Sequence, residues 1–516
     1  MKIMTGLLCA LSALVLAGAA YAQQEVVAET PRGTLIGQSE AGIDVFKGIP
    51  YAEPPIGALR WKPPRAADGW QGERWADSFG PDCIQSPYPE NSFFYRPARL
   101  SSEDCLYLNV WSPAESREPL PVMVWIHGGA LTRGSGAIPT YDGTRLAQKD
   151  VVLVTINYRL GVLGYFAHPE LVAESEHYSA GNYGILDQIE ALRWVQENIE
   201  SFGGDPDNVT IFGESAGAWS VHFLTASPLS EGLFHKAIAQ SGARLDKRVE
   251  LDRQTSAGPS ASSAGRELAA MVGADSLSEL RAMPARSLYE AAEEAGFNTD
   301  GIVDGRVLTE QPYDRFVAGR QHDVPVLLGF NSHEGTTLGA AANAPDTAEE
   351  YEERIRVVYG PLAETFLEVY PSDDPRQASL DSFRDSAFGW NMVTWANLTR
   401  QVDQPAWLYY FTHHPPGPES DRLGAYHASE IAYVFDNVHT LGEGPRPVDR
   451  ELADAMSDYW VSFARNGNPN VDGRPPWRPY RNNERHYMEF GDKPEPAMDL
   501  MPDNWALFDR IMDARR

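Results

Sequence analysis

The sequence predicts the α/β class, a mostly parallel sheet covered on both faces by helices, and three observations carry that prediction. Short apolar, β-branched runs recur along the chain: Val122 to Ile126, Val151 to Ile156, Val209 to Phe212, Val324 to Leu328 and Trp407 to Phe411. Each ends in a Gly-rich or polar turn, the pattern of strands buried on both faces. Helical spacing appears between them, most clearly from Leu186 to Ile199, where Leu186, Ile189, Leu192, Val195 and Ile199 repeat on one face before Gly203-Gly204 stops the helix. Strands alternating with helices favour a parallel sheet. The 516 residues, 43% hydrophobic and 22% charged, are of ordinary globular composition and show no internal repeat.

The N-terminus reads differently. Lys2, an apolar run from Ile3 to about Ala19, and Ala20-Tyr21-Ala22 ahead of Gln23 form the pattern of a signal peptide over residues 1–22, cleaved after Ala22. The expected product is one domain over 23–516, exported to the periplasm or secreted. No later stretch approaches 18 consecutive apolar residues, so no stable membrane insertion is expected. Of the three cysteines, Cys9 lies in the leader, and Cys83 and Cys105 remain as an isolated pair. In an exported protein such a pair reads as one disulfide, stabilising by about 3 kcal/mol on the chain-entropy estimate.

Charge excludes one class of partner. Lys and Arg number 43 against 72 Asp and Glu, a net −29 that repels phosphate backbones and anionic headgroups, so no nucleic-acid binding is expected. Two regions break the strand-helix alternation, near 248–295 (rich in Ala, Ser and Glu) and near 345–404 (helical and charged). Both read as helical insertions, placed either to roof an active site or to pack peripherally.

The chemistry begins at Gly213-Glu214-Ser215-Ala216-Gly217, between the strand ending at Phe212 and a helical pattern over Ala218 to Phe223. Strand, tight turn and helix are the context of a nucleophile elbow, in which Ser215 stands out at the strand tip and the flanking glycines admit close backbone. A serine nucleophile needs a site for negative charge on the substrate carbonyl oxygen. His127-Gly128-Gly129-Ala130 follows the strand Val122 to Ile126, where a loop supplying oxyanion N–H donors belongs. The expected hole comprises Gly128, Gly129 and Ala130 with the N–H of Ala216; a plain strand-ending turn is the other reading of the glycine pair.

Together with Phe46-Lys47-Gly48-Ile49-Pro50-Tyr51, Ser102-Glu103-Asp104-Cys105-Leu106, Asn157-Tyr158-Arg159, Gly181-Asn182-Tyr183-Gly184, Phe202-Gly203-Gly204-Asp205-Pro206, Gln240-Ser241-Gly242 and Asn468-Pro469-Asn470, these segments form an ordered series over nearly the whole mature chain. The series resembles the type-B carboxylesterases of the α/β-hydrolase fold, the group that includes cholinesterases and bacterial para-nitrobenzyl esterases. The resemblance implies hydrolysis of carboxylic esters. It assigns the triad acid to Glu334, in His333-Glu334-Gly335-Thr336, where the family usually has Asp in place of His333. It assigns the base to His427, in Gly424-Ala425-Tyr426-His427-Ala428-Ser429-Glu430; His413 and His414 are rival histidines that read as loop residues. The order Ser215, Glu334, His427 is that of α/β-hydrolases. Glu430 and Ser241 match positions that support the site from behind, with ordinary buried hydrogen bonding as the other reading. By the same resemblance Cys83 pairs with Cys105, Arg60 with Glu103 and Arg159 with Asp187.

The implied mechanism is acyl transfer through Ser215, with His427 as base and acid and Glu334 orienting it. An unperturbed histidine base predicts activity rising through a pKa of roughly 6 to 7. No metal or cofactor motif is present, and none is expected. Pocket candidates are Glu214 beside the serine and Leu131, Thr132 and Arg133 beyond the oxyanion glycines. Arg133 either meets a carboxylate on polycarboxylate or aromatic acid esters, toxins included, or pairs with a local acid, which leaves neutral small-molecule esters as substrates. Two rivals stand beside ester hydrolysis: a non-catalytic adhesion or binding module, whose usual mark is a missing triad member, and amide or carbamate hydrolysis by the same triad.

Overall fold

The computed structural model describes residues 24–116, 118–442, 444–481 and 483–515. The expected signal peptide, with Cys9, lies outside the described residues.

Twelve strands form the path of one sheet. They are β1 (Gln24–Thr30), β2 (Gly33–Glu40), β3 (Ile43–Pro50), β4 (Tyr107–Pro113), β5 (Leu120–Ile126), β6 (Val152–Ile156), β7 (Gly204–Glu214), β8 (Lys236–Gln240), β9 (Val326–Asn331), β10 (Ala406–Phe411), β11 (His486–Phe490) and β12 (Pro494–Met498). Their spatial order is β1-β2-β3-β4-β6-β5-β7-β8-β9-β10-β11-β12, with Glu73–Trp75 pairing β2 off that path. From β6 to β11 every neighbouring pair is parallel. The five apolar runs read from sequence supply β5, β6, β7, β9 and β10 of this parallel part. Both outer parts are antiparallel, and the N-terminal hairpins, with alternating burial, were not legible as a continuation of the sheet.

Helix α1 (Tyr183–Asn198) covers the expected Leu186 to Ile199 pattern and runs into a 3₁₀ turn that Gly203 ends with φ 75°. Helix α2 (Ala216–Ala226) follows β7 directly and is buried along almost its whole length. The first insertion carries α3 (Ala261–Met271), α4 (Leu277–Ala282) and α5 (Ala285–Glu294). The second carries α6 (Ala348–Tyr359), α7 (Ala363–Val369), α8 (Pro375–Arg384) and α9 (Trp390–Leu398), with a wide turn at Asp385–Gly389 between the last two. Helix α10 (Pro447–Asn466) packs Trp460 among Tyr409, Trp477 and Phe490 on the opposite face of the sheet.

One fully buried ion pair, one partly buried ion pair and a disulfide fasten the loops at the sheet's C-terminal edge. Arg159 meets Asp187 through two bonds of 2.7 Å, with side chains 4% and 0% exposed. Arg60 forks onto Glu103 through two bonds of 2.7 Å and donates to the carbonyls of Leu280 and Met283. Cys83 and Cys105 are disulfide-bonded, with Cα atoms 5.0 Å apart. Among the described residues no helix is long and apolar enough to cross a membrane.

Candidate active site

Ser215 sits where β7 ends and α2 begins, at φ 55° and ψ −121°. A non-glycine residue in that region costs energy of order 1–3 kcal/mol and persists only where its surroundings impose it. Here the surroundings are backbone. A Cβ on Gly217 would lie 2.0 Å from the carbonyl oxygen of Ile126, and one on Gly213 would lie 2.6 Å from both that oxygen and the Gly217 carbonyl carbon. The turn can close this tightly only with glycine at both positions, as the motif requires. The Ser215 N–H is held by the Gln240 carbonyl at 2.9 Å.

The loop after β5 lies against the elbow. A Cβ on Gly128 would fall 3.1 Å from the Ser215 Cβ and 2.8 Å from the Glu214 carbonyl oxygen, so only glycine allows this approach. Gly129 has φ 107° and Ala130 φ 55°, and Ala130 is exposed. The Gly129 carbonyl accepts from the N–H groups of Thr132 and Arg133, closing a tight turn. Ala216 is the first residue of α2, and such N–H groups have no carbonyl partner within their helix. Gly128 and Ala216 therefore lie against Ser215, with Gly129 and Ala130 next along the same loop as Gly128.

The acid and the histidine arrive from neighbouring strands. Glu334 begins the turn after β9 and is fully buried; its Oε1 accepts from the Asn331 N–H at 2.8 Å, and its Oε2 lies 2.5 Å from His427 Nδ1. His427 is 4% exposed, with the ring of Phe388 5.0 Å away. Its Nε2 lies 3.2 Å from Glu214 Oε1, and the Ser215 hydroxyl makes no hydrogen bond among the described residues. The imidazole is thus flanked by carboxylates on both nitrogens. Burial disfavours its charged form, but Glu214 and Glu334 outweigh that and raise its pKa from 6.5 to about 9. Burial in turn lifts Glu214 well above the usual carboxylate range, against the pull of His427. The ordinary value of roughly 6 to 7 expected from sequence is corrected upward, because it took no account of Glu214.

Behind the pair stands a polar network. Glu430, fully buried, accepts from Asn331 Nδ2 at 2.6 Å and Gln240 Nε2 at 3.0 Å, and Gln240 Oε1 accepts from Trp460 Nε1. Ser241 differs: its hydroxyl is buried without a hydrogen-bond partner among the described residues, and only its N–H, bonded to the Gly329 carbonyl, ties it to the sheet. Asn331 and Gln240 escaped the sequence reading, although one lies three residues before Glu334 and the other opens the Gln240-Ser241-Gly242 segment. Phe388, in the second insertion, carried no signal at all.

Of the other pocket candidates, Leu131 is fully buried in the core, and Thr132 accepts from the Tyr289 hydroxyl of α5 through its carbonyl. Arg133 Nη2 is paired with Glu293 of α5 at 2.7 Å, its Nε donates to the Ser86 carbonyl, and its guanidinium covers the Tyr88 ring. Both insertions therefore reach the site. His413 is a loop residue, as read, but a buried one held by Asp449 and Asp492, away from Ser215's partners.

Residues 23–508 match the carboxylesterase family. The chain belongs to this family. Among its relatives, a fumonisin B1 esterase of Sphingopyxis macrogoltabida is 37% identical over 481 residues, covering 91% of this chain and 87% of that protein. A para-nitrobenzyl esterase of Bacillus subtilis is 35% identical over 463 residues, covering 86% and 91%. A solved PNB esterase structure matches with TM-score 0.82 at 33% identity, and a Geobacillus stearothermophilus carboxylesterase with 0.81 at 36%; each comparison covers 93% of this chain and 99% of the other. The fold of this carboxylesterase is accordingly the α/β-hydrolase fold, and its activity is hydrolysis of carboxylic esters of small molecules.

Proposed function

We propose that this carboxylesterase works through an acyl-enzyme on Ser215, and the contact between Glu334 and His427 carries that reading. Ser215 is a weak nucleophile at its own pKa, so His427 Nε2 takes its proton as the oxygen attacks the ester carbonyl. Glu334, bonded to Nδ1, fixes the tautomer and stabilises the imidazolium. The N–H groups of Gly129, Ala130 and Ala216, with Gly128 shaping the approach, receive the developing oxyanion. His427 then protonates the departing alcohol, and a water activated by the same nitrogen releases the acid. In the resting enzyme Nε2 faces Glu214, and this mechanism requires the Ser215 hydroxyl to engage Nε2 when substrate binds, since catalytic hydrogen bonds often form fully only in the complex.

Neutral esters fit the site best, because Arg133 is already neutralised by Glu293. The relative named for fumonisin B1 makes that ester the specific alternative to test. The disulfide supports export, since such bonds persist in oxidising compartments.

Ser215→Ala tests the mechanism directly. Hydrolysis of p-nitrophenyl butyrate should fall by about 10⁴-fold or more while the fold is retained. A variant that kept wild-type turnover would remove the acyl-enzyme from the account.

A further inference from the structure

We infer that Gln85, held in place by the disulfide two residues before it, is a positioning residue for the oxyanion donors. This rests on the reading above that Gly129 donates to the substrate oxygen. Gln85 Oε1 accepts from the Gly134 N–H at 2.8 Å, and its Nε2 donates to the Gly134 carbonyl at 2.8 Å and to the Cys83 carbonyl at 3.1 Å. A flipped amide would set its NH₂ against the Gly134 N–H, so these partners fix the orientation. The side chain pairs with Gly134 as a neighbouring strand would, gripping both polar groups of one residue.

Gly134 passes that restraint to the site. It has φ 118°, and a Cβ on it would lie 2.2 Å from His127 Nδ1 and 2.5 Å from the Gly128 carbonyl oxygen. Its backbone thus backs directly onto the carbonyl of the Gly128–Gly129 peptide, to which His127 Nδ1 also lies at 2.8 Å. A peptide is planar, so fixing that carbonyl fixes the direction of the Gly129 N–H on its other side. The near end of the chain of contacts is equally firm. Cys83 is buried and disulfide-bonded to Cys105, and the Gln85 carbonyl is held by Arg286 at 2.6 Å. Rigid support of this kind matters because oxyanion donors act only when already aimed at the transition-state oxygen.

The test is Gln85→Met, which keeps side-chain length and removes all three bonds. Turnover of p-nitrophenyl butyrate by the intact, oxidised protein is measured beside inhibition by a trifluoromethyl ketone with the same acyl chain, whose hemiketal oxygen occupies the oxyanion hole. Expected is a kcat loss of about tenfold or more with a parallel rise in Ki and a KM change within about threefold. Reducing the disulfide should lower kcat in the wild type and add little in Gln85→Met, since both act through one path. A kcat and Ki within twofold of wild type overturn the inference, as does a reduction effect of the same size in both proteins. If Gln85→Met does not fold, Gln85→Glu, which keeps the acceptor for Gly134 N–H, should show a smaller loss of the same kind, and unchanged kinetics there overturn it too. Ser215→Ala run alongside separates the two readings: full activity in that variant defeats the serine mechanism rather than the role of Gln85.

Discussion

Glu214 and His427 face one another at 3.2 Å, on the side of the imidazole opposite Glu334. Both groups are buried, at 3% and 4% exposed, so neither charge is well solvated and they titrate as a coupled pair. On the proposed mechanism His427 must be neutral to accept the Ser215 proton, and the nearby charge of Glu214 favours the protonated imidazole. Activity should therefore rise with pH through a midpoint displaced above that of an ordinary histidine, toward about 9. Glu214→Gln keeps the shape and removes the charge, and the midpoint of kcat/KM against pH should move down. The profile of both proteins on one neutral ester between about pH 5 and 10 brackets the ordinary and the raised value. An unmoved midpoint would show that Glu214 does not act on this base.

Asp187→Ala should cost about 3–5 kcal/mol, because it strands a buried guanidinium. Arg159 spends two of its nitrogens on Asp187, and its third, Nη1, is buried without a hydrogen-bond partner among the described residues. Denaturant unfolding measures the loss, and a midpoint equal to wild type would contradict it.

Glu430 and Ser241 were legible as one pair of supporting residues, yet they part in the structure. Glu430 joins Asn331 and Gln240, and through Asn331 it steadies the residue whose N–H holds Glu334. Glu430→Ala leaves the buried Gln240 amide without its acceptor, at a cost of about 1–3 kcal/mol, and leaves Asn331 Nδ2 to the Tyr426 carbonyl at 2.9 Å. Ser241→Ala removes a hydroxyl that bonds to nothing among the described residues, so stability should hold or rise slightly. Paired thermal melts decide it: equal losses in the two variants would mean Ser241 has a partner in solution.

What the sequence could and could not show follows from the range of the forces involved. The elbow and most of the parallel strands were legible because their signals are local: apolar, β-branched runs mark β5, β6, β7, β9 and β10, and the glycines at 213 and 217 bracket Ser215 in one short motif, whereas Lys236–Gln240 of β8 carries no such run. Glu334 and His427 lie 93 positions apart, and only an ordered resemblance could join them. The tilt of the pKa was hidden for the same reason, since Glu214 looks like a spacer in the motif until the fold turns it onto Nε2. Arg133 stood out as a cation near the site, and its partner Glu293 lies 160 residues away in an insertion whose placement no periodicity reveals. The antiparallel margins were missed because half-exposed strands alternate polar and apolar residues weakly.

Arg133 yields the prediction on specificity. Its guanidinium is tied to Glu293, with the two side chains 26% and 30% exposed, and it is also held by the Ser86 carbonyl and the Tyr88 face. A substrate carboxylate would have to displace Glu293, exchanging one partly exposed ion pair for another, and such exchanges return about 0–1 kcal/mol. Wild type should then favour a neutral ester over its free-carboxylate counterpart. Glu293→Gln should shift that preference toward the carboxylate by freeing the cation, with Arg133→Ala abolishing the shift. Measuring kcat/KM on a matched ester pair across the three proteins checks both steps. If wild type already prefers the carboxylate-bearing ester, Arg133 is available despite Glu293, and charged esters become the preferred class.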